Sequence, residues 1–113
     1  MENCIFCRIA GGEIPSKKVF EDDDVLAFED INPAAPVHIL VIPKRHVASA
    51  HDIDSSNSAL VARIFEVCAE LAGKLRLEKG YRIVTNCFED GGQSVGHLHF
   101  HLLGGRPLAW PPG

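Results

Sequence analysis

This sequence lacks an excess of positive charge and a long apolar run. Its 113 residues carry 11 Lys and Arg against 15 Asp and Glu, which gives a formal net charge of −4 with neutral histidines. A protein that binds the nucleic-acid backbone needs clustered positive charge, so we exclude that class of partner. The longest apolar run, PVHILVIP at residues 36–43, is interrupted by His38 and is too short to span a bilayer, so we expect no membrane contact.

The sequence also shows no targeting pattern, and its cysteines are few. The stretch MENCIFCRIAGGE has no basic segment followed by a long apolar one, so we predict no secretory signal. Four cysteines without such a signal indicate a reducing compartment, where thiols pack, bind metal or react. We therefore expect a cytoplasmic location.

The length and a hydrophobic fraction of 46% predict one globular domain over residues 1–113. Residues 104–113, GGRPLAWPPG, are expected to form a C-terminal tail, because three prolines remove backbone donors that a sheet needs.

Periodicity and turn residues predict an α+β fold. Ile5, Phe6 and Ile9 stand at one-turn spacing before two glycines, which indicates a short helix. A long amphipathic helix is predicted from residue 55 to about residue 77, capped by Ser55 or Ser56. Strands are predicted at residues 18–21, 25–29, 36–43, 81–86 and 97–103, with a Gly-rich loop, EDGGQS, before the last. The order predicts a mainly antiparallel sheet of about five strands.

Half of the six histidines lie in HLHFHLL, at every second position. Side chains alternate along a strand, so His97, His99 and His101 should share one face, with the intervening apolar side chains in the core. Three readings are open: polar residues on a strand face, two or three ligands of a catalytic metal, or a nucleophile towards phosphorus with orienting neighbours. The glycines upstream and the Ser94 hydroxyl offer groups that could hold phosphoryl oxygens, which favours the last reading.

The segment GQSVGHLHFHLLGGR resembles the motif of the histidine-triad superfamily, in which three histidines alternate with apolar residues. The similarity extends through FCRIAGGEIPSKKVFEDDDVLAFEDINPAAPVHILVIPKRH and KGYRIVTN, and so covers most of the chain. The ending LGGRPLAWPPG resembles the Hint branch, the histidine-triad nucleotide-binding proteins, rather than the diadenosine-polyphosphate hydrolases. The resemblance implies a HIT-like fold that dimerises, with the tail of each subunit reaching the partner's active site.

The resemblance also implies roles for individual residues. His99 matches the nucleophile that attacks the α-phosphorus of a purine nucleoside phosphoramidate, giving a nucleotidyl-histidine that water then cleaves. His101 matches the residue that contacts the phosphate and leaving group, and His97 matches the member that orients the nucleophile. His38 matches a fourth histidine of the site, and Ser94 the hydroxyl close to the leaving amine. No cofactor is required for this chemical step.

A pocket for a purine nucleotide transfers in the same way. Its base-enclosing residues would be Ile5, Phe6, Ile9, Phe28 and Ile31. Asp30 would accept from the ribose hydroxyls, and Asn86, Gly92 and Ser94 would line the phosphate end. Trp110 would come from the partner subunit. From the residues alone, the apolar members are equally consistent with the core, His38 with a buried structural histidine, and Asp30 with a turn.

Cys4 and Cys7 form a C-x-x-C pair, which is a departure from many Hint proteins. The spacing suits zinc when two more ligands converge, while a redox pair or two packed thiols are the alternatives. Some bacterial relatives bind zinc with both cysteines, the histidine of a PKxH segment and the first triad histidine. Here that implies a structural Zn²⁺ held by Cys4, Cys7, His46 and His97.

Other functions remain open at this point. Within the same fold, the chain could hydrolyse dinucleoside polyphosphates or transfer nucleotidyl groups. In a different class, it would be a nucleotide-binding scaffold whose catalysis is incidental. A second departure, NCFEDGG, puts Phe88 where the family usually has a small or polar residue, and we expect it to narrow the mouth of the pocket.

Overall fold

The computed structural model describes residues 3–113. Along the chain it contains helix α1 (Ile5–Ala10), strands β1 (Lys18–Glu21), β2 (Val25–Glu29) and β3 (Val37–Pro43), a 3₁₀ turn (Ala50–Asp52), helix α2 (Ser58–Lys74), strand β4 (Tyr81–Val84), the one-turn helix α3 (Phe88–Gly91) and strand β5 (Phe100–Gly104). No helix within the described residues is long and apolar enough to cross a membrane.

The strands form one five-stranded sheet in the order β1-β2-β3-β5-β4. Every neighbouring pair is antiparallel. This confirms the predicted α+β architecture with its five-stranded antiparallel sheet. The long connection through α2 places β4 at the far edge, so β3 and β5 lie side by side at the centre.

Both faces of the sheet are covered. On one face, α2 packs its Ile64, Val67 and Leu71 against the strands, together with Phe100 and Leu102 of β5. On the other face, α1 packs Phe6 and Ile9 against a second apolar cluster built from β2 and β3. This explains why those two strands read as continuous apolar runs, since strands buried on both sides have no polar face.

The start of α2 differs from the prediction. The helix begins at Ser58 rather than at residue 55, and its N-cap is Asn57 rather than Ser55 or Ser56. Residues 54–57 form a turn instead, in which Asp54 Oδ1 accepts from the Ser56 amide and hydroxyl. Local side-chain bonds of this kind compete with helix formation, and here they delay the first helical turn. The helix ends at Lys74, before the predicted residue 77.

The last strand also begins later than predicted, at Phe100 rather than at residue 97. Its neighbour β3 ends at Pro43, which has no N–H with which to continue the ladder. Side chains take over the bonding there: Thr85 Oγ1 donates to the His99 carbonyl, and His97 Nε2 lies 2.8 Å from the Pro43 carbonyl oxygen. The predicted alternation nevertheless continues, because Leu98, Phe100 and Leu102 all lie in the core under α2.

Candidate active site and metal centre

Four histidines meet on the α1 side of the two central strands. His38 lies in β3 and His101 in β5, where their diagonal positions bring the ring centroids to 5.1 Å. The His99 ring is 5.1 Å from that of His101. Phe6 of α1 packs edge-on against both His97 and His99, at 5.9 Å and 5.1 Å. The histidine row therefore lies between the sheet and α1.

The bonding of His99 fixes which of its nitrogens carries the proton. Its Nδ1 lies 2.7 Å from the His97 carbonyl oxygen, and a carbonyl can only accept. His99 Nδ1 therefore donates, and in the neutral ring Nε2 keeps its lone pair. His99 is 4% exposed, so a nucleophilic nitrogen here would be shielded from bulk water.

A hydrogen-bonded chain orders His38 and His101 in the same manner. The Ala34 amide donates to His38 Nδ1 at 2.9 Å, so in the neutral ring the proton of His38 is on Nε2. That nitrogen lies 2.9 Å from His101 Nδ1, which then accepts. Neutral His101 consequently carries its proton on Nε2, where it can serve as a donor.

Burial favours the neutral form of both rings. It lowers the pKa of His101 to about 4, and the neighbouring His99 and His38 add to the shift. Burial also lowers the pKa of His38, against the opposing effect of Asp30. Both imidazoles are therefore neutral near pH 7, which keeps the acceptor and donor roles just described.

Asp30 forms the turn that was one of its two alternatives, and its other carboxylate oxygen lies near His38. Its Oδ1 accepts from the Asn32 amide at 2.8 Å, as in an Asx turn. Its Oδ2 lies 3.4 Å from His38 Nε2. Asp30 therefore joins the loop after β2 to the histidine chain.

An apolar cavity of about 780 Å³ opens beside this chain, and its volume suits a small-molecule ligand. Six predicted pocket residues are in its wall: Ile5, Phe6, Ile9, Phe28, Asp30 and Ile31. Phe6, Ile9 and Phe28 are buried at its base, whereas Ile31 is 92% exposed at the rim. The cavity therefore has mainly apolar walls, with Asp30 and Glu29 among its lining residues.

Sequence reasoning missed part of this wall. Ile14, Ser16, Lys17 and Leu40 also line the cavity. The Ser16 hydroxyl is buried and has no hydrogen-bond partner among the described residues. Three of these residues lie between α1 and β1, where no periodic pattern distinguishes wall residues from an ordinary connection.

The predicted phosphate-end residues lie in and beside the loop around α3. Ser94 is in the wall of a second cavity, of about 520 Å³, together with Cys4 and His46. Gly92 has φ 85°, a left-handed conformation that favours glycine after a helix, and Asn86 lies just before α3. Their contacts with phosphate stay predictions.

Gln93 fixes the shape of that loop. Its side-chain nitrogen Nε2 donates to the Ala48 and Val95 carbonyls at 2.7 and 3.0 Å, while its side-chain oxygen accepts from the Phe88 amide. The Phe88 ring lies 5.4 Å from the His51 ring. Phe88 is outside the walls of both cavities, so the structure does not place it at the mouth of the nucleoside pocket as expected.

The C-terminal tail is held against its own chain by two arginines. Arg82 donates to the Leu108 and Ala109 carbonyls, and Arg106 donates to the Ala34 carbonyl at 2.8 Å. Trp110 is 80% exposed and lies outside the walls of both cavities of this chain. Its predicted contact with a partner's site concerns a second copy and stays a prediction.

The four predicted metal ligands converge. One ligand atom from each lies within 4.8 Å of the others: Cys4, Cys7, His46 and His97. His97 Nδ1 lies 3.3 Å from Cys4 Sγ and 3.5 Å from Cys7 Sγ. His46 Nδ1 lies 3.3 Å from Cys7 Sγ and 3.2 Å from His97 Nδ1. Around a tetrahedral zinc, neighbouring nitrogen and sulfur ligands lie about 3.3–3.8 Å apart. The cluster therefore fits a metal ion closely.

The bonding of His97 also suits a ligand. Its Nε2 is 2.8 Å from the Pro43 carbonyl oxygen and so carries the proton, which leaves the Nδ1 lone pair facing the cluster. Metal-bound histidines commonly have such a second hydrogen bond. The other cysteines lie elsewhere, and burial raises the pKa of the Cys68 thiol to about 11, which keeps it protonated.

Comparisons with known proteins show the family to which the chain belongs. Residues 11–108 match the family model described as the HIT domain. An uncharacterized HIT-like protein of Synechococcus elongatus is 49% identical over 112 residues, which cover 99% of this chain and 98% of that protein. The similarity therefore extends over nearly the full length of both proteins.

Solved structures show the same likeness. A HIT family hydrolase from Legionella pneumophila is 53% identical, with a TM-score of 0.96 over 98% of this chain and 100% of that one. The histidine triad nucleotide-binding protein from Candida albicans is 36% identical, with a TM-score of 0.83 over 96% of this chain and 83% of that one. On the family model and on these relatives, the chain belongs to the HIT domain family.

Proposed function

We propose that this protein is a purine nucleoside phosphoramidase of the Hint type, acting on AMP-like phosphoramidates. The observation that carries the proposal is the His99 Nδ1–carbonyl bond of 2.7 Å, which leaves Nε2 free to attack phosphorus. The hydrolase description of the Legionella relative supports the reaction class. The description of the Candida relative supports a nucleotide as substrate.

The reaction has two displacements. His99 Nε2 attacks the α-phosphorus, a nitrogen–phosphorus bond forms to the ring, and the bond to the leaving amine breaks. The electron pair of that bond goes to the amine nitrogen, which takes a proton from the Ser94/His101 side. Water then attacks the phosphorus of the nucleotidyl-histidine, and the phosphorus–nitrogen bond breaks with its electron pair returning to His99 Nε2. The proton that water loses returns to the Ser94/His101 side, so the nucleotide is released and the neutral ring is restored.

The nucleoside would occupy the apolar cavity, with Asp30 accepting from the ribose hydroxyls. Because Asp30 Oδ2 is also 3.4 Å from His38 Nε2, ribose binding and the histidine chain share one carboxylate. His101 would donate from Nε2 to a phosphoryl oxygen. Asn86, Gly92 and Ser94 would line the phosphate end.

We propose that Cys4, Cys7, His46 and His97 hold a structural Zn²⁺. The ligand set leaves no open position, so the ion would cross-link three segments of the chain rather than take part in the displacement. Metal analysis of protein purified without added zinc should find about one equivalent. Less than about a tenth of an equivalent would reject the assignment.

A homodimer in the cytoplasm completes the proposal. The exposed Trp110 would then lie at the partner's site. Sedimentation of the full chain and of a variant ending at residue 108 tests this, with loss of activity in the truncated dimer as the expected result. A monomer at micromolar concentration would reject it.

The test of the chemistry is a trapped adduct. Rapid quenching with an adenosine phosphoramidate should yield a protein–AMP adduct that mass spectrometry locates on His99. The variant His99→Ala should lose the adduct and turnover, while the exposed His51→Ala serves as the matched control. Intact turnover in His99→Ala would refute the mechanism.

Two other functions would give different results. Release of nucleotides from dinucleoside polyphosphates at a higher rate than amines from phosphoramidates would favour a polyphosphate hydrolase or nucleotidyl transferase. Micromolar AMP binding without measurable turnover of either substrate would favour a nucleotide-binding scaffold.

A further inference from the structure

His97 contacts both the metal cluster and His99, and it uses different atoms for the two contacts. Its ring is fully buried, with Nε2 bonded to the Pro43 carbonyl and Nδ1 facing the cysteines of the metal cluster. Its own carbonyl oxygen accepts the proton of His99 Nδ1 at 2.7 Å. One residue therefore links the metal cluster directly to the imidazole that would attack phosphorus.

The direction of that carbonyl is not set by the sheet. Residues 97–99 precede β5, which begins at Phe100, so no regular ladder fixes the peptide between His97 and Leu98. The Leu98 amide donates to the Val47 carbonyl, one residue after His46. The peptide is thus held by the His97 ring and by the segment that carries another cluster residue.

We propose that a metal ion held by the cluster orients the His97 carbonyl and thereby fixes the Nδ1–H tautomer of His99. This proposal rests on the proposed role of His99. Under it, three further side chains position the nucleophile through the metal ion: Cys4, Cys7 and His46. Loss of the ion frees the His97 ring on one side, so its carbonyl no longer holds His99 in one tautomer. The His99 population with a proton on Nε2 cannot attack.

Binding of the nucleoside depends less on the cluster. Helix α1 contributes Ile5, Phe6 and Ile9 to the cavity, and its Phe6 and Ile9 are buried against apolar side chains of β2 and β3, which hold no residue of the metal cluster. Phe6 also packs edge-on against Phe28 at 5.7 Å. Metal loss is therefore expected to lower kcat while changing KM little.

A pair of variants at His46 separates the effect of losing the ion from the effect of losing the imidazole. His46→Ala removes a ligand, whereas His46→Cys replaces Nδ1, the ring nitrogen nearer the backbone, with a thiolate of similar reach. A Cys₃His set is itself a common structural zinc site. Cys87→Ser controls for loss of a thiol outside the cluster.

The readout is the tautomer of His99, observed by nitrogen-15 correlation spectra of histidine-labelled protein, alongside metal content and steady-state kinetics. Wild type, Cys87→Ser and His46→Cys should hold about one equivalent of zinc and show a single Nδ1–H form. His46→Ala and chelator-treated wild type should show mixed tautomers, a kcat lower by about tenfold or more, and a KM within about threefold.

A single Nδ1–H form with unchanged kcat in the metal-free protein would overturn the proposal. If His46→Ala does not fold, removal of the ion from wild type with a chelator and its return as Zn²⁺ decide, since the mixed tautomers must revert to the single Nδ1–H form. His99 nitrogen resonances that do not change between the two states would overturn it equally. Turnover by His99→Ala would refute the proposed function instead, and would leave the tautomer comparison valid.

Discussion

Acid should weaken this fold through His101. Burial lowers the pKa of His101 from 6.5 to about 4, and the groups that face it are His38, His99 and Asp30. The unfolded chain therefore binds this proton more tightly than the folded one. The contribution of the neutral ring to the free energy of unfolding is fully present above pH 6.5 and is lost as the pH falls towards 4.

The size of the effect follows from those two pKa values. Linkage with 6.5 unfolded and about 4 folded gives a loss of about 2.4 kcal/mol between pH 7 and pH 4.5. Solvent screens part of this because the ring is only partly buried, so we expect about 1–2 kcal/mol. Coupling to His38 spreads the titration over both rings.

Urea unfolding at pH 7 and pH 4.5 measures the loss for wild type and for His101→Gln. Other groups contribute acid sensitivity to both proteins, so the difference between the two losses isolates His101. The exposed His51→Gln should behave as wild type does. Equal losses in wild type and His101→Gln, within about 0.3 kcal/mol, would show that the ring titrates as in the unfolded chain.

Three further predictions concern stability alone. Leu102 is fully buried between β3 and β4, so Leu102→Ala should cost about 3–4 kcal/mol in urea unfolding with an unchanged m value; a cost below about 1 kcal/mol would contradict the packing. Ser16→Ala removes the unpartnered hydroxyl and should leave stability equal or raise it by up to about 1 kcal/mol, whereas a clear loss would reveal a partner. Phe88 has φ 61°, a backbone conformation that Asn tolerates better than Phe or Ala. Phe88→Asn should therefore have a higher melting temperature than Phe88→Ala, which keeps the backbone strain. Equal melting temperatures would argue against strain.

The sheet could be predicted from the sequence because its signals are local. Alternation of histidines with Leu98, Phe100 and Leu102 indicates which side faces the core, and the structure confirms that division. The start of β5 could not be predicted, since a ladder needs a partner and β3 ends at Pro43. That constraint comes from a residue more than fifty positions away.

The cavity wall was likewise predictable from the sequence only in part. Phe6, Ile9 and Phe28 carry signals that suit a core as well as a pocket, and only the family resemblance indicated a pocket. Ser16 and Lys17 carry no signal, because they line the cavity through the path of a connection. The convergence of Cys4 and Cys7 with His46 likewise depends on how α1 packs over the sheet.

The histidines illustrate why residue type alone does not assign chemistry. Three of the four rings are each given their tautomer by a single backbone group: the Pro43 carbonyl for His97, the His97 carbonyl for His99, and the Ala34 amide for His38. Two carbonyls force Nε2–H on His97 and Nδ1–H on His99, so neighbouring members of the row have their lone pairs on opposite ring atoms. In the proposed mechanism His97 would therefore bind a metal through Nδ1 and His99 would attack through Nε2, although the alternating sequence presents them as equivalent.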